Sequence, residues 1–334
     1  MTIIQHSDEP LRIYLRLIKE YLDQDGVNEL SINRPHEFFL EKSGQIERHT
    51  TEELSYDELH SLAILVASYN DQEISHERPL LSGILPDGER VQIVLPPACE
   101  SGTIIFSIRK PFVLNFSLND YSKQGAFDEV IFDKDDFNTD DIHLLELKES
   151  GNIQAFISQA VKYKKNIIIS GGTSSGKTTL LNAMIKEISC EERLITIEDT
   201  REVKIENPNK VHLLYSKGGQ GVAKVTANDL LQVCLRLRPD RILLSEIRGT
   251  EAFDYLRTIN SGHPGSITSL HADSARSAFE QLILMVMQTG VNLGREQITA
   301  YLRSVVDVII QFKRINGIRK VTEIYYEPKK QTIQ

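Results

Sequence analysis

Apolar residues at Leu11, Tyr14, Leu15, Leu17, Ile18 and Leu22 recur at three- and four-residue spacing, which predicts an amphipathic helix ended by a turn at Asp23 to Gly26. Further on the period falls to two. Val91, Ile93 and Leu95 alternate with Arg90 and Gln92, and Ile104, Phe106 and Ile108 alternate with Ser107 and Arg109. This is the pattern of half-buried strands in an antiparallel sheet, with each arginine leaving by the non-core face. From Asn166 the pattern becomes short apolar runs, Ile167–Ile169, Leu194–Ile197 and Ile242–Leu244, as expected of buried strands. Helical stripes at Leu180, Leu181, Met184 and Ile185, at Phe279, Leu282, Ile283 and Val286, and at Ile298, Leu302, Val305 and Val306 supply core faces. Near the end, apolar strands at Val308–Phe312 and Arg319–Tyr325 flank Asn316-Gly317, a strong hairpin signal.

These elements imply an α/β protein with a smaller α+β unit in front. Pro111 closes the first region, and Asn115 to Asp141 then turns acidic, with Asp128, Glu129, Asp133, Asp135, Asp136, Asp140 and Asp141. The acids lack the glycine-containing twelve-residue spacing of a calcium loop, so the stretch is expected to be a solvated connector. The expected division is residues 1–115, a linker over 116–150, and a larger domain over 151–334. A chain of 334 residues suits two such units.

Composition narrows the setting. No run approaches the roughly 18 apolar residues of a membrane span, and the first residues lack the basic start and apolar stretch of a signal peptide. The three cysteines, Cys99, Cys190 and Cys234, are too widely spaced for a zinc site or a disulfide framework, so a cytoplasmic protein is expected. A formal net charge of -9 argues against a protein built to grip a phosphate backbone.

The sharpest chemical signal follows the run at Ile167. Gly171-Gly172-Thr173-Ser174-Ser175-Gly176-Lys177-Thr178 fits G-x-x-x-x-G-K-[ST] in full, and Thr179 begins the next helix. The glycines let backbone N–H groups wrap phosphates, the helix N-terminus favours their charge, Lys177 reaches the β and γ phosphates, and the Thr178 hydroxyl ligates Mg2+. ATP with Mg2+ is the expected ligand. Two later strands deliver carboxylates to the edge where ligands bind in open α/β sheets: Glu198-Asp199 after Ile197 and Ser245-Glu246 after Leu244. Ser245 stands where an aspartate would usually end the strand. Metal is therefore expected on Glu246 or Asp199 through water, with Glu198 polarising the attacking water; which of Glu198 and Glu246 is the general base stays open. A Gly/Pro-rich turn, Gly262-His263-Pro264-Gly265, feeds a short strand ending at His271, whose imidazole is placed to report on the γ-phosphate.

The order of P-loop, acidic box (Ile197 to Glu202), atypical Walker B (Arg238 to Gly249) and histidine box (Gly262 to His271) resembles the secretion-ATPase superfamily of type II secretion and type IV pilus motors. The wording Gly262 to Thr268, with Asn28 to Pro35, is most similar to the VirB-eleven traffic ATPases of type IV secretion systems, across nearly the whole chain. Ser245 departs from the glycine more usual there. The resemblance implies a RecA-like ATPase domain behind the α+β domain, and a homo-hexameric ring of two tiers with ATP between them. It further implies work alongside other type IV secretion ATPases and inner-membrane components, peripheral at the cytoplasmic face of the inner membrane. Substrate translocation or pilus assembly is the implied task, with no sequence-specific nucleic acid. It also places Arg90 and Arg109 near the bound phosphates, where a planar, always charged guanidinium suits phosphate oxygens. A pilus retraction motor and, further off, a RecA-like nucleic-acid motor are the alternatives. A non-hydrolysing nucleotide sensor is disfavoured by the presence of Lys177, Thr178, Glu198 and Glu246.

Overall fold

The computed structural model describes residues 8–111, 117–128, 138–219 and 221–328. The first unit runs α1 (Glu9–Leu22), β1 (Val27–Arg34), β2 (Glu37–Lys42), β3 (Gln45–Thr50), α2 (Tyr56–Tyr69), β4 (Leu80–Ile84), β5 (Arg90–Val94) and β6 (Ile105–Arg109). Its six strands form one antiparallel sheet in the order β3-β2-β1-β6-β5-β4. The predicted helix exists as α1. Pro10 sits in its first turn, where a missing N–H costs nothing, and Leu11, Leu15, Ile18 and Leu22 form its buried stripe. That stripe packs with α2 on one face of the sheet, against Leu30, Ile32, Ile93 and Phe106.

The other face differs from expectation. Gln92 and Ser107, predicted to meet solvent, are buried, as are Glu29, Ser31 and Asn33. The cause is the second unit, which covers this polar face: Asn33 Nδ2 donates to Asn209 Oδ1 at 2.9 Å, Arg34 Nη2 donates to the Pro208 carbonyl at 3.1 Å, and Glu41 pairs with Arg238. Beyond β5, Cys99 forms an isolated antiparallel bridge with Leu213, and the Leu214 N–H donates to the Ala98 carbonyl at 2.9 Å.

The second unit contains α3 (Leu118–Lys123), α4 (Thr139–Glu149), α5 (Ile153–Lys162), β7 (Ile167–Ser170), α6 (Lys177–Ile185), β8 (Leu194–Glu198), β9 (Lys210–Leu214), α7 (Ala227–Cys234), β10 (Arg241–Leu244), α8 (Glu251–Ile259), β11 (Ile267–Leu270), α9 (Ala275–Gln288), α10 (Arg295–Val305), β12 (Val308–Ile315) and β13 (Ile318–Tyr326). Its seven-stranded sheet has the order β13-β12-β7-β11-β10-β8-β9, parallel except for the β12–β13 hairpin. Asn316 and Gly317 both take positive φ, 51° and 82°, as the Asn-Gly signal requires. Helices cover both faces: α7, α8, α9 and α10 on one, α4, α5 and α6 on the other.

The acidic stretch is not all connector. Glu129, Asp133, Asp135 and Asp136 lie outside the described residues, but Thr139–Glu149 is α4, and its Leu144 is fully buried in the core of the second sheet. Asp141, expected to be solvated, is buried between Lys165 Nζ at 2.6 Å and the Tyr326 hydroxyl at 2.7 Å. A helix rich in acids is thus held by Leu144, Leu145 and Leu147 and by one paired carboxylate.

Candidate active site

The site grows from the carboxyl edge of the parallel strands. β7 ends at Ser170, the chain turns through Gly171 to Gly176, and α6 begins at Lys177. Two glycines are obligatory for physical reasons. A Cβ on Gly171 would sit 2.3 Å from the Phe312 carbonyl oxygen, and Gly176 has φ +99° with the Arg319 side chain lying over it. Gly172 faces open space and Thr173 and Ser174 are exposed, so the loop presents its backbone outward. Thr178 is half-buried and Thr179 exposed in the first helical turn, which holds no acidic residue to oppose an anion. The Ser175 hydroxyl is buried with no partner. Lys177 folds back over the loop: Nζ donates to the Gly171 carbonyl at 2.9 Å and the Gly172 carbonyl at 3.2 Å. Burial lowers its pKa, with Glu246 opposing.

His271, at the end of β11 beside β7, joins this lysine to a carboxylate. Lys177 Nζ lies 3.3 Å from His271 Nδ1, and His271 Nε2 lies 2.9 Å from Glu246 Oε1. An ammonium has only donors, so Nδ1 must accept and Nε2 carries the proton given to Glu246. Arg248 grips the same carboxylate with Nε at 2.7 Å and Nη2 at 3.1 Å, and reaches Asp199 Oδ2 with Nη1 at 2.8 Å. Burial raises the Glu246 carboxyl, but Arg248, His271 and Lys177 together outweigh it and hold it below the usual range.

Lys177, His271, Glu246 and, through Arg248, Asp199 thus form one connected network. Glu198 is not part of it. Asp199, the next residue, reaches the site through Arg248 from the end of β8, but Glu198 itself turns into the protein. The side chain is fully buried; Oε2 accepts the N–H groups of Glu202 and Val203 at 2.7 Å each, and Oε1 accepts from Thr196 Oγ1 at 2.8 Å. Burial raises this carboxyl, yet His212, the two backbone donors and Thr196 pull it below its ordinary value. It fixes the loop after β8 and has no free oxygen to polarise water.

Arg90 and Arg109 also lie elsewhere. They pair directly across β5 and β6 and line a cavity of about 500 Å3 with Arg236, Arg238, His263 and Glu29. Arg236 and Arg238 precede β10 and His263 precedes β11, so the cavity sits at the amino edge of the parallel sheet, a strand length of roughly 13 Å from the P-loop edge. Like charges directly opposite one another destabilise a sheet. Among the described residues Arg90, Arg109 and Arg236 make no ion pair, and Glu29 is the one acid lining the cavity beside four arginines, so guanidinium is in excess there. His263 is structural, its Nδ1–H donating to the Pro239 carbonyl at 3.0 Å.

Sequence reasoning passed over Arg248 and Arg319. Arg248 sits two residues beyond a strand-end glutamate, a spacing that was available as a signal; Arg319 reaches Gly176 only because the hairpin folds over the P-loop, which no local pattern reveals.

A P-loop on a parallel sheet, with a lysine, a histidine and a polarised carboxylate in contact beside it, defines a P-loop ATPase. Residues 130–320 match the type II/IV secretion system protein family. The VirB11 proteins of Bartonella henselae and Agrobacterium fabrum are 46% and 39% identical, covering 97% and 95% of this chain and 96% and 94% of their own lengths. The crystal structure of the Brucella suis VirB11 ATPase in complex with sulphate superposes with a TM-score of 0.90 at 43% identity, covering 95% of this chain and 98% of that one. The chain belongs to the type II/IV secretion system protein family and, within it, to the VirB11 ATPases of type IV secretion systems. The fold class and enzyme class read from the sequence are thereby confirmed, and a pilus retraction motor is set aside.

Proposed function

We propose that the chain hydrolyses ATP at the Gly171–Thr179 cradle and uses the energy for substrate translocation or pilus assembly as a peripheral component at the cytoplasmic face of the inner membrane. The contact running from Lys177 through His271 to Glu246 carries this reading, because it ties the phosphate pocket to the carboxylate able to activate water. Among the described residues no helix is long and apolar enough to cross a membrane. A division into an N-terminal domain ending near residue 115 and an ATPase domain that takes in α4 accompanies the reading.

The residues suit Mg2+ with nucleotide. No group of three or more His, Cys, Asp or Glu among the described residues could hold a metal by itself. Mg2+ characteristically uses one or two carboxylates together with phosphates, and the hard oxygens of Thr178, Asp199 and Glu246 are of that kind. Bound there, the ion would neutralise charge on the β and γ phosphates. Lys177, freed from the loop carbonyls, steadies the same phosphates. Glu246 accepts a proton from the attacking water, and His271, bonded to both, senses whether the γ-phosphate is present.

Arg90 and Arg109 enter this scheme in trans. They face away from their own P-loop, in a cavity whose excess of guanidinium fits phosphate oxygens, so in a homo-hexameric ring they would complete a neighbouring copy's site. Mixing Lys177→Ala with Arg109→Ala chains tests this: interfaces that pair an intact lysine with an intact arginine should restore part of the activity. No recovery would refute the trans assignment. For the function as a whole, sedimentation with ATPase assays is the test; Mg2+-dependent hydrolysis in a ring, unaffected by DNA, is expected, and strong DNA stimulation would favour a nucleic-acid motor.

A further inference from the structure

Both oxygens of Glu246, as they stand, are already engaged by cationic or N–H donors. Oε1 accepts from His271 and from Arg248 Nε, and Oε2 from Arg248 Nη2. The same guanidinium extends to Asp199, so one planar cation bridges the two carboxylates to which the preceding reading gives the metal. It stands where a divalent cation would be needed.

Around Arg248 the backbone is pinned independently of these carboxylates, which among the described residues are what hold the side chain. Glu251 Oε1 accepts the Arg248 N–H at 2.6 Å and the Gly249 N–H at 2.9 Å, which fixes the turn before α8. The side chain itself is 39% exposed. Beside it opens a cavity of about 520 Å3 lined by Tyr215, Lys217, Thr226, Asn228 and Glu251. The guanidinium can therefore leave the carboxylates for that space by rotating its own side chain, without moving a strand.

Resting on the proposed Mg2+ and ATP reading, we infer that Arg248 is a built-in counter-cation: it neutralises Asp199 and Glu246 while the site lacks nucleotide, and must swing into the adjoining cavity before they can serve metal and water. The latch has two uses. It stops two convergent carboxylates from repelling each other across the strand ends, and it prevents Glu246 from acting as a base until a phosphate-bound metal competes for the carboxylates.

Manganese binding followed by electron paramagnetic resonance tests the latch without relying on turnover. Wild-type chain, Arg248→Ala and Arg248→Lys are each titrated with Mn2+, alone and with a non-hydrolysable ATP analogue. Removing Arg248 should tighten Mn2+ binding by about tenfold, the scale of one charge-assisted hydrogen-bonded pair, and should let Mn2+ bind even without the analogue. Lysine, a point charge unable to hold both carboxylates in a fork, should fall between. Equal Mn2+ affinity in all three proteins, with analogue bound, overturns the latch while leaving the nucleotide site intact. Absence of analogue-dependent Mn2+ binding in every protein instead overturns the metal reading, and the latch with it. If circular dichroism shows Arg248→Ala unfolded, the lysine variant decides: an affinity equal to wild type refutes the proposal.

Discussion

Glu198 ends β8 and Glu246 follows β10 by two residues, similar places in the sequence, but the structure gives them different work, and the two amide substitutions should separate it. In Glu198→Gln the amide oxygen can retain one set of donors, but the NH2 group must then confront Thr196 Oγ1, Arg201 or the two backbone N–H groups, all of which donate to the carboxylate. Losing the charge and misplacing a donor in a fully buried site should cost about 2–4 kcal/mol, counting one or two charge-assisted bonds. For a domain of this size that is a fall in melting temperature of roughly 5–15 °C. Turnover of the protein that remains folded should drop less than about tenfold, since no transition-state contact is lost. Glu246→Gln should do the reverse: kcat reduced about 10²–10⁴-fold with nucleotide affinity nearly kept, and melting within about 1 kcal/mol of wild type because the site is partly solvated. Calorimetry and steady-state kinetics on both variants give the answer. A Glu198→Gln protein that melts normally but has lost its turnover would refute the assignment of the base to Glu246.

Lys177→Ala should abolish measurable hydrolysis in a coupled phosphate-release assay, because the charge steadying the β and γ phosphates is gone. Gly171→Ala should lose nucleotide binding, read by fluorescent-nucleotide titration, since its Cβ would meet the Phe312 carbonyl at 2.3 Å and force the loop to move. On the proposed ring, hydrogen exchange over residues 85–110 should slow when a non-hydrolysable ATP analogue is added to the oligomer but not to isolated chains. Acid should weaken the pair formed by buried Arg241 and Glu192, whose carboxyl burial raises but Arg241 and Lys164 hold below its usual value. A depressed folded pKa means the stabilisation is complete above the unfolded value, about 4.3, and disappears as pH falls through the lower folded one. Glu192→Gln should therefore flatten the stability–pH curve below about pH 4.5 in chemical denaturation.

Much of this architecture could be read from residue order because local physics dictated it. The P-loop was legible since a strand, a glycine turn and a helix start must follow one another within a dozen residues, and the Asn-Gly hairpin since two successive positive φ angles leave few choices. Strand order was not legible. Whether Glu198 or Glu246 lies beside the P-loop depends on β11 and β10 inserting between β7 and β8, a non-local pairing that leaves no periodic trace. Alternation marked the faces of β5 and β6 that turn away from the N-terminal core, but what covers them was invisible, so the cavity that Arg90 and Arg109 share with Arg236 and His263 could not be foreseen. α4 escaped for a related reason: its acids dominate the pattern, and Leu144 finds its core only after the chain has folded back.

The bridge between Cys99 and Leu213 has a consequence for how far the two units can be treated separately. β9 is the last strand of the parallel sheet and would otherwise show its unpaired N–H and C=O groups to any other extended chain. The segment carrying Ala98 and Cys99 closes that edge, and Val94, Ala98, Cys99 and Ile105 sink into the same apolar cluster as Leu213 and Val211. Cutting the chain at the acidic stretch would thus leave an ATPase fragment with an open, apolar border, prone to stack on its own copies. The N-terminal unit thus covers an edge of its neighbour, and neither half should be expected to remain monodisperse alone.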